Sequence, residues 1–229
     1  MKTSSYMQLE LDHIFVCVQP EAPEAELLKT LGLVEGNRRI HRGQGTANVC
    51  FFFHNAYLEL LWLNDNNEIQ SPVVRPTGLW NRCCWLETQA CPFGIAFRKA
   101  TPGLLEIPFS TWNYYAPFLP LGAAIPIFAN SDNLAEPLIF ISPSTQKPSA
   151  YPLERQRPLV HKIGFQEITE LRVILPGDNN FSPEVTMLMD LGLVQFSRGN
   201  SYHLEIQFDH GKQGKVQNYE PTLPISIKW

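Results

Sequence analysis

Two stretches of this chain share one frame. Ala22-Pro23-Glu24 through Leu31-Gly32-Leu33-Val34 returns 160 positions later as Ser182-Pro183-Glu184 through Leu191-Gly192-Leu193-Val194. Pro, Glu, two Leu, Gly, Leu and Val recur in register without a gap. Proline suits the first turn of a helix, glutamate the positive end of its dipole, and glycine its left-handed exit. Each copy follows an apolar, strand-like run closed by proline: Leu11–Val18 before Pro20, and Leu171–Leu175 before Pro176. A strand, a proline-led helix and a glycine exit, met twice, predict a mixed α+β protein built from related units. The bland reading is coincidence between two amphipathic helices, since Leu-Gly-Leu-Val is a cheap motif.

After the first helix, Leu33–Ile40, Thr46–Phe53 and Tyr57–Trp62 read as strands, the last two joined tightly through His54-Asn55-Ala56. After the second, Leu193–Phe196 and Tyr202–Phe208 read as strands. Between the units Pro92–Arg98, Ile125–Phe128 and Pro137–Ile141 are strand candidates, and Trp112–Pro120 is an aromatic loop. Ser142–Pro158 is polar and punctuated by prolines, the mark of a linker. The expected division is residues 8–142 for the first module and central strands, 143–160 for the linker, and 161–229 for a divergent β-α-β module packed on the first.

Composition closes several alternatives. At 229 residues, 44% hydrophobic and 17% charged, the chain is apolar enough to bury a core and too sparsely charged for a disordered tail or coiled coil. A net charge of -4 without a basic run argues against a nucleic-acid partner. No apolar run is long enough to span a bilayer, and Met1–Ser5 does not open a signal-peptide core. The five cysteines lack Cys-x-x-Cys spacing and read as reduced packing thiols of a cytoplasmic protein. The neighbours Cys83 and Cys84 have a redox reading that nothing nearby in sequence supports.

Two polar residues stand out because they interrupt apolar strands. His13 lies in Leu-Asp-His-Ile-Phe-Val, and Glu59 in Tyr-Leu-Glu-Leu-Leu-Trp. A carboxylate in such a run is costly unless paired, protonated or bound to a metal. By alternation His13 shares a face with Leu11, Phe15 and Cys17, and Glu59 with Tyr57 and Leu61. Should those faces meet, the pair are either metal ligands or a hydrogen-bonded core pair. Glu205, in Tyr-His-Leu-Glu-Ile, echoes Glu59 and is a third ligand candidate. The alternative there is a half-exposed strand, with His203, Glu205 and Gln207 in water. No nucleotide fingerprint, nucleophile elbow or His-Glu-x-x-His motif occurs.

Leu-Asp-His-Ile at 11–14, the Leu-Gly helix exit, His-x-Gly-x-Gly-Thr-x-Asn at 41–48 and Tyr-Leu-Glu-Leu at 57–60 together resemble the glyoxalase-like branch of the vicinal oxygen chelate superfamily. The resemblance covers residues 11–63. It implies paired βαβββ modules forming a cupped mixed sheet, here with an inserted central segment. It also implies that His13 and Glu59 occupy ligand positions for a divalent metal ion (Zn, Fe, Mn, Ni or Mg); Glu205 joins them as a candidate through the internal repeat, and no nucleotide cofactor is expected. Glu59, with Glu205 as the alternative, is then the proton-transferring base, and His41, Gln44, Thr46 and Asn48 contact substrate. Departures lie in the second half, where Pro92–Arg98 offers no His or Glu and Ile139–Ser142 ends without a carboxylate. His161, ahead of Gly164, resembles a structural lead-in. The function implied is a metal-dependent lyase, isomerase or dioxygenase acting on a small organic substrate chelated through oxygens. The other reading is a non-enzymatic binding or sequestering protein with the same cup and no metal. The partners expected are a small-molecule ligand and, because such modules often pair between chains, a second copy in a homodimer.

Overall fold

The computed structural model describes residues 9–100 and 110–229. The segment Met1–Ser5 and the first residue of the expected module boundary lie outside them. Among the described residues thirteen strands form two sheets. The larger contains β1 (Leu9–Cys17), β2 (Arg39–His41), β3 (Thr46–Phe52), β4 (Tyr57–Leu63), β5 (Phe93–Lys99), β6 (Thr111–Tyr114), β7 (Ile125–Phe128) and β8 (Leu138–Ile141). Its order, β2-β3-β4-β1-β5-β8-β7-β6, places two four-strand halves about the β1–β5 pair, with β1 parallel to β4 and β5 parallel to β8. The smaller contains β9 (Ile168–Pro176), β10 (Gln195–Gly199), β11 (His203–Phe208), β12 (Val216–Asn218) and β13 (Ile225–Lys228), in the order β10-β9-β11-β13-β12.

Among the described residues five α-helices connect these strands: α1 (Ala25–Leu31), the short α2 (Asn66–Ile69), α3 (Leu79–Cys83) and α4 (Trp85–Thr88), and α5 (Pro183–Asp190). Both proline-led segments form helices, and the glycine after each, Gly32 and Gly192, has positive φ. Their surroundings differ. β9 runs through α5 into a parallel neighbour, β10, whereas the parallel neighbour of β1 is β4, the third strand after it along the chain. The echo thus covers the helix and its exit. The second half of the large sheet is built by residues 93–141.

Alternation explains why the strands read as nearly unbroken apolar runs: both faces of the large sheet are covered. Ile14, Val16, Val49, Leu58, Leu60, Ile95 and Phe97 face one core shared with Leu171, Val173, Leu188 and Ile206 of the second sheet and its helix. Phe15, Cys17, Leu61, Tyr114, Ile127 and Leu138 face the other way, into a second cluster lining the concave side. The tip of the β3–β4 hairpin docks on the second sheet. Asn55 accepts from the Ile168 N–H and donates to its carbonyl, and the His54 N–H reaches the Gln166 carbonyl.

Leu33–Ile40 is not a strand as expected; only Arg39–His41 pairs, with β3. The backbone before it is satisfied otherwise. The Val34 N–H donates to His161 Nδ1 at 2.9 Å, and the Gly36 N–H to the Cys50 carbonyl at 2.8 Å. His161 Nε2 donates to the Phe52 carbonyl at 2.8 Å, so this histidine is a clamp between the chain's two halves. The aromatic segment begins as strand β6 before turning to loop at Tyr115.

Candidate functional site

The concave face of the large sheet encloses a cavity of about 250 Å³. His13 and Glu59 sit at its floor because β1 and β4 are direct neighbours, with His13 opposite Tyr57 and Phe15 opposite Glu59. No curling of the sheet is needed to bring them together. A β-bulge between Leu11 and His13 breaks the alternation there. Leu11 packs with the far core, while His13 and Phe15 line the cavity. The extra residue of the bulge is Asp12, 1% exposed, whose Oδ2 accepts from His13 Nδ1 at 2.7 Å. That bond fixes the proton on Nδ1 and turns Nε2 toward Glu59 Oε2, 3.6 Å away. Tyr57 stacks on the imidazole at 4.4 Å between centroids, and Phe140 meets it edge-on at 5.4 Å.

Glu59 is held from its other oxygen, where Asn48 Nδ2 donates at 2.6 Å. A second polar chain runs along the wall: the Tyr114 hydroxyl donates to Gln44 Oε1, Gln44 Nε2 donates to Thr46 Oγ1, and Thr46 Oγ1 shares a hydrogen with His41 Nδ1 at 2.9 Å. Asn48 Nδ2 approaches His41 Nε2 at 3.4 Å, so a neutral His41 accepts there and carries its proton on Nδ1. Burial, the largest influence, holds its pKa below the ordinary imidazole range against the opposing pull of Glu59. Burial likewise raises the Tyr57 and Tyr114 hydroxyls, so both remain protonated donors. The glycines between these residues build the turn: Gly43 and Gly45 have positive φ, and both N–H groups donate to Glu68 Oε2. At Gly45 an added Cβ would meet the Asp65 carbonyl oxygen at 2.4 Å, so the position is closed to side chains. His41, Gln44, Asn48, His13 and Glu59 therefore line one cavity, while Thr46 orders two of them from behind.

The other half of the cup is largely apolar, with the hydroxyls of Tyr114, Ser142 and Ser144 as its polar groups. Across from His13 and Phe15, β5 presents Ala96 and Gly94, and the Phe15 ring occupies the space a Gly94 side chain would need. Leu138 and Phe140 of β8, and Ile125 and Ile127 of β7, complete the wall. Arg39 lies at the rim, its guanidinium 5.3 Å from the centre of the Phe118 ring. Among the described residues no three His, Cys, Asp or Glu side chains converge as a metal site. The donors present do not fit a divalent ion held by four side chains. They come from the first half alone, and Gly, Ala, Leu and Phe stand where the second half would have to supply the rest.

Glu205 lies elsewhere, a correction to its expected place. It sits on β11 of the second sheet, outside the residues lining the cavity, with Lys228 Nζ at 2.6 Å and Arg172 at 4.0 Å. The residues of β11 alternate between half-buried and buried, so its polar face looks to solvent, and the echo of Glu59 is one of pattern only. Two contributors escaped the sequence reading. Asp12 was visible as the residue before His13, but its partnership depends on the bulge. Arg98, at the end of an apolar run, pairs with Asp12 from the adjacent strand at 3.7 Å.

The neutral histidines carry a pH dependence. His161, like His41, is pushed below its usual range, chiefly by burial, with the bond to the Phe52 carbonyl opposing. A group neutral in the fold but free to charge when unfolded makes the unfolded state bind more protons as the pH falls. Stability is therefore full above about pH 6.5 and declines below it, through the depressed native values. Urea midpoints measured between about pH 7 and pH 5 should fall, and His161→Gln should flatten the decline relative to its own stability at neutral pH. A wild-type midpoint unchanged over that range contradicts this account.

Residues 11–113 match the glyoxalase-like domain family. No curated protein matches the sequence. Among solved structures, a hypothetical protein from Staphylococcus aureus is similar at a TM-score of 0.55 and 10% identity, covering 96% of this chain and 99% of that one, which shows a shared fold. Methylmalonyl-CoA epimerase from Mycobacterium tuberculosis is similar over 62% of this chain and 91% of its own, at 16% identity and a TM-score of 0.37. A Streptomyces coelicolor methylmalonyl-CoA epimerase is similar over 60% of this chain and 100% of its own, at 16% identity and a TM-score of 0.38. Scores that low carry no argument about this site. Fold and cavity define a cupped-sheet protein with a polar floor. Over residues 11–113, under half of the chain, it resembles a glyoxalase-like domain. Among the described residues no helix is long and apolar enough to cross a membrane.

Proposed function

We propose that the cup is a small-molecule site that transfers protons with its own side chains, Glu59 acting as the base. The observation that carries this reading is the hydrogen-bonded line Asp12–His13 facing Glu59–Asn48 at the floor of a cavity whose opposite wall is largely apolar. Asn48 leaves Glu59 Oε2 free to meet a ligand, and His13 Nε2 stands beside that oxygen to take up or return the proton. The ligand class follows from the walls: one oxygen-bearing end at the floor, and an aromatic or branched body against Phe15, Leu138 and Phe140. An α-hydroxy ketone meets that description, with the carbon-bound hydrogen beside the carbonyl as the one removed. The donor set supports chemistry without a bridging ion.

The test uses 2-hydroxyacetophenone as probe, following loss of its α-hydrogen signal in deuterated water by NMR. The wild type exchanges the signal, Glu59→Gln slows exchange about 100-fold or more, and EDTA changes neither. Exchange abolished by EDTA and restored by a divalent metal returns the site to chelate chemistry. Line broadening of the probe without exchange above that of Glu59→Gln identifies a binding protein instead.

A further inference from the structure

Away from the cup, three of the five cysteines gather at one place. Cys17 ends β1, Cys83 ends α3 and Cys84 follows it; all three line a second cavity of about 430 Å³, bounded also by Trp85 and Pro224. The Cys17 and Cys83 sulfurs lie 3.8 Å apart in a thiol–thiol contact, although the residues are 66 positions apart in sequence. Cys17 is 1% exposed, whereas Cys83 is half-buried. Adjacent in sequence is Arg82, fully buried, whose Nη1 donates to the Cys91 and Glu136 carbonyls while Nε and Nη2 find no hydrogen-bond partner.

We infer that Cys17 and Cys83 form a reversible dithiol–disulfide pair that answers to hydroperoxides. Rotation of the two side chains has to bring the sulfurs from contact to a bond of roughly 2.05 Å. Cys83, the accessible partner, attacks as its thiolate: its sulfur displaces hydroxide from hydrogen peroxide and becomes a sulfenic acid. The Cys17 sulfur then attacks that sulfenic sulfur, expelling the oxygen as water as the S–S bond forms. The two thiols lose two electrons and two protons, and one peroxide is reduced to two waters. Burial pushes the Cys17 thiol up, with the Arg82 cation opposing, which suits Cys17 to the second step, where it meets an electrophile already in contact. The bond would tie α3, which carries Leu79 of the cup wall, to β1, which carries His13 and Phe15. The redox state of one cavity thereby sets the rigidity of the other's wall.

Peptide mapping of the full chain after hydrogen peroxide treatment tests this. The expected result is a linked pair of peptides containing Cys17 and Cys83, two fewer free thiols per chain, and reversal by dithiothreitol. Cys84→Ser keeps the link. Cys17→Ser loses it and carries Cys83 on to the sulfinic acid. A Cys83–Cys84 disulfide with Cys17 still reduced overturns the proposal, as does a link between two chains or a wild type with all its thiols intact. Should Cys17→Ser fail to fold, the wild-type map alone decides.

Discussion

Replacing Arg98 with methionine costs the fold about 3–5 kcal/mol, a fall in Tm on the order of 6–20 °C for a chain of this length. The side chain is 3% exposed on that strand, and its guanidinium is used almost fully. Nε and Nη2 bind Glu10 Oε2 at 3.1 and 2.8 Å, while Nη1 donates to the Leu11 and Asn55 carbonyls at 2.8 Å each. The same nitrogen is 3.7 Å from Asp12 Oδ1, an oxygen with no hydrogen-bond partner of its own. Methionine fills much of the volume, yet it leaves a buried carboxylate without its cation and two carbonyls without their donor. Glu10 is the contrast. It is half exposed, so Glu10→Gln costs less than about 1 kcal/mol. Thermal and urea unfolding of the two variants separates the cases; equal, small losses would show that Asp12 does not depend on Arg98. Adding Asp12→Asn to Arg98→Met should recover part of the loss, because the charge left stranded is then gone.

The difference between Arg98 and Glu10 also shows where sequence patterns stop being informative. β1, β3, β4 and α1 were legible to within a residue or two, because local alternation, a first-turn proline and a left-handed glycine decide them. The stretch at Leu33–Ile40 has strand residues too, but its backbone bonds go to His161 and Cys50, partners that local composition cannot supply. The nearness of His13 and Glu59 was legible as two polar interruptions of apolar runs. The bulge at Asp12, which sends Leu11 and His13 to opposite faces, was not, because a single inserted residue leaves no periodic mark. Glu205 marks the opposite failure. Its strand repeats the Glu59 pattern, yet the sheet carrying it packs behind the cup rather than inside it. The apolar half of the cup was visible as missing ligands, and Phe15 over Gly94 gives the reason: aromatic rings occupy that volume.

Asp12→Asn leaves the protein folded and slows proton exchange of the hydroxy-ketone probe by about 100-fold or more. The argument turns on one hydrogen. In the wild type Asp12 Oδ2 can only accept, so His13 Nδ1 carries a proton and Nε2 is the nitrogen that faces Glu59. An asparagine there has a donor nitrogen and an acceptor oxygen, and Arg98 decides which way each points. Its Nη1 approaches the far oxygen, so the amide oxygen turns toward Arg98 and the amide nitrogen toward His13. His13 Nδ1 must then accept, its proton moves to Nε2, and Nε2–H points at Glu59 Oε2. That carboxylate gains a donor and becomes a weaker base, while the histidine beside it can no longer take up the proton that Glu59 removes. Shape and volume hardly change, so probe affinity stays within about threefold, a shift of less than about 1 kcal/mol. Exchange rates and probe titrations on the same samples check this directly. A rate that falls only as far as affinity or folded fraction falls would make Asp12 part of the scaffold alone; a rate lost at constant affinity makes it the residue that positions His13.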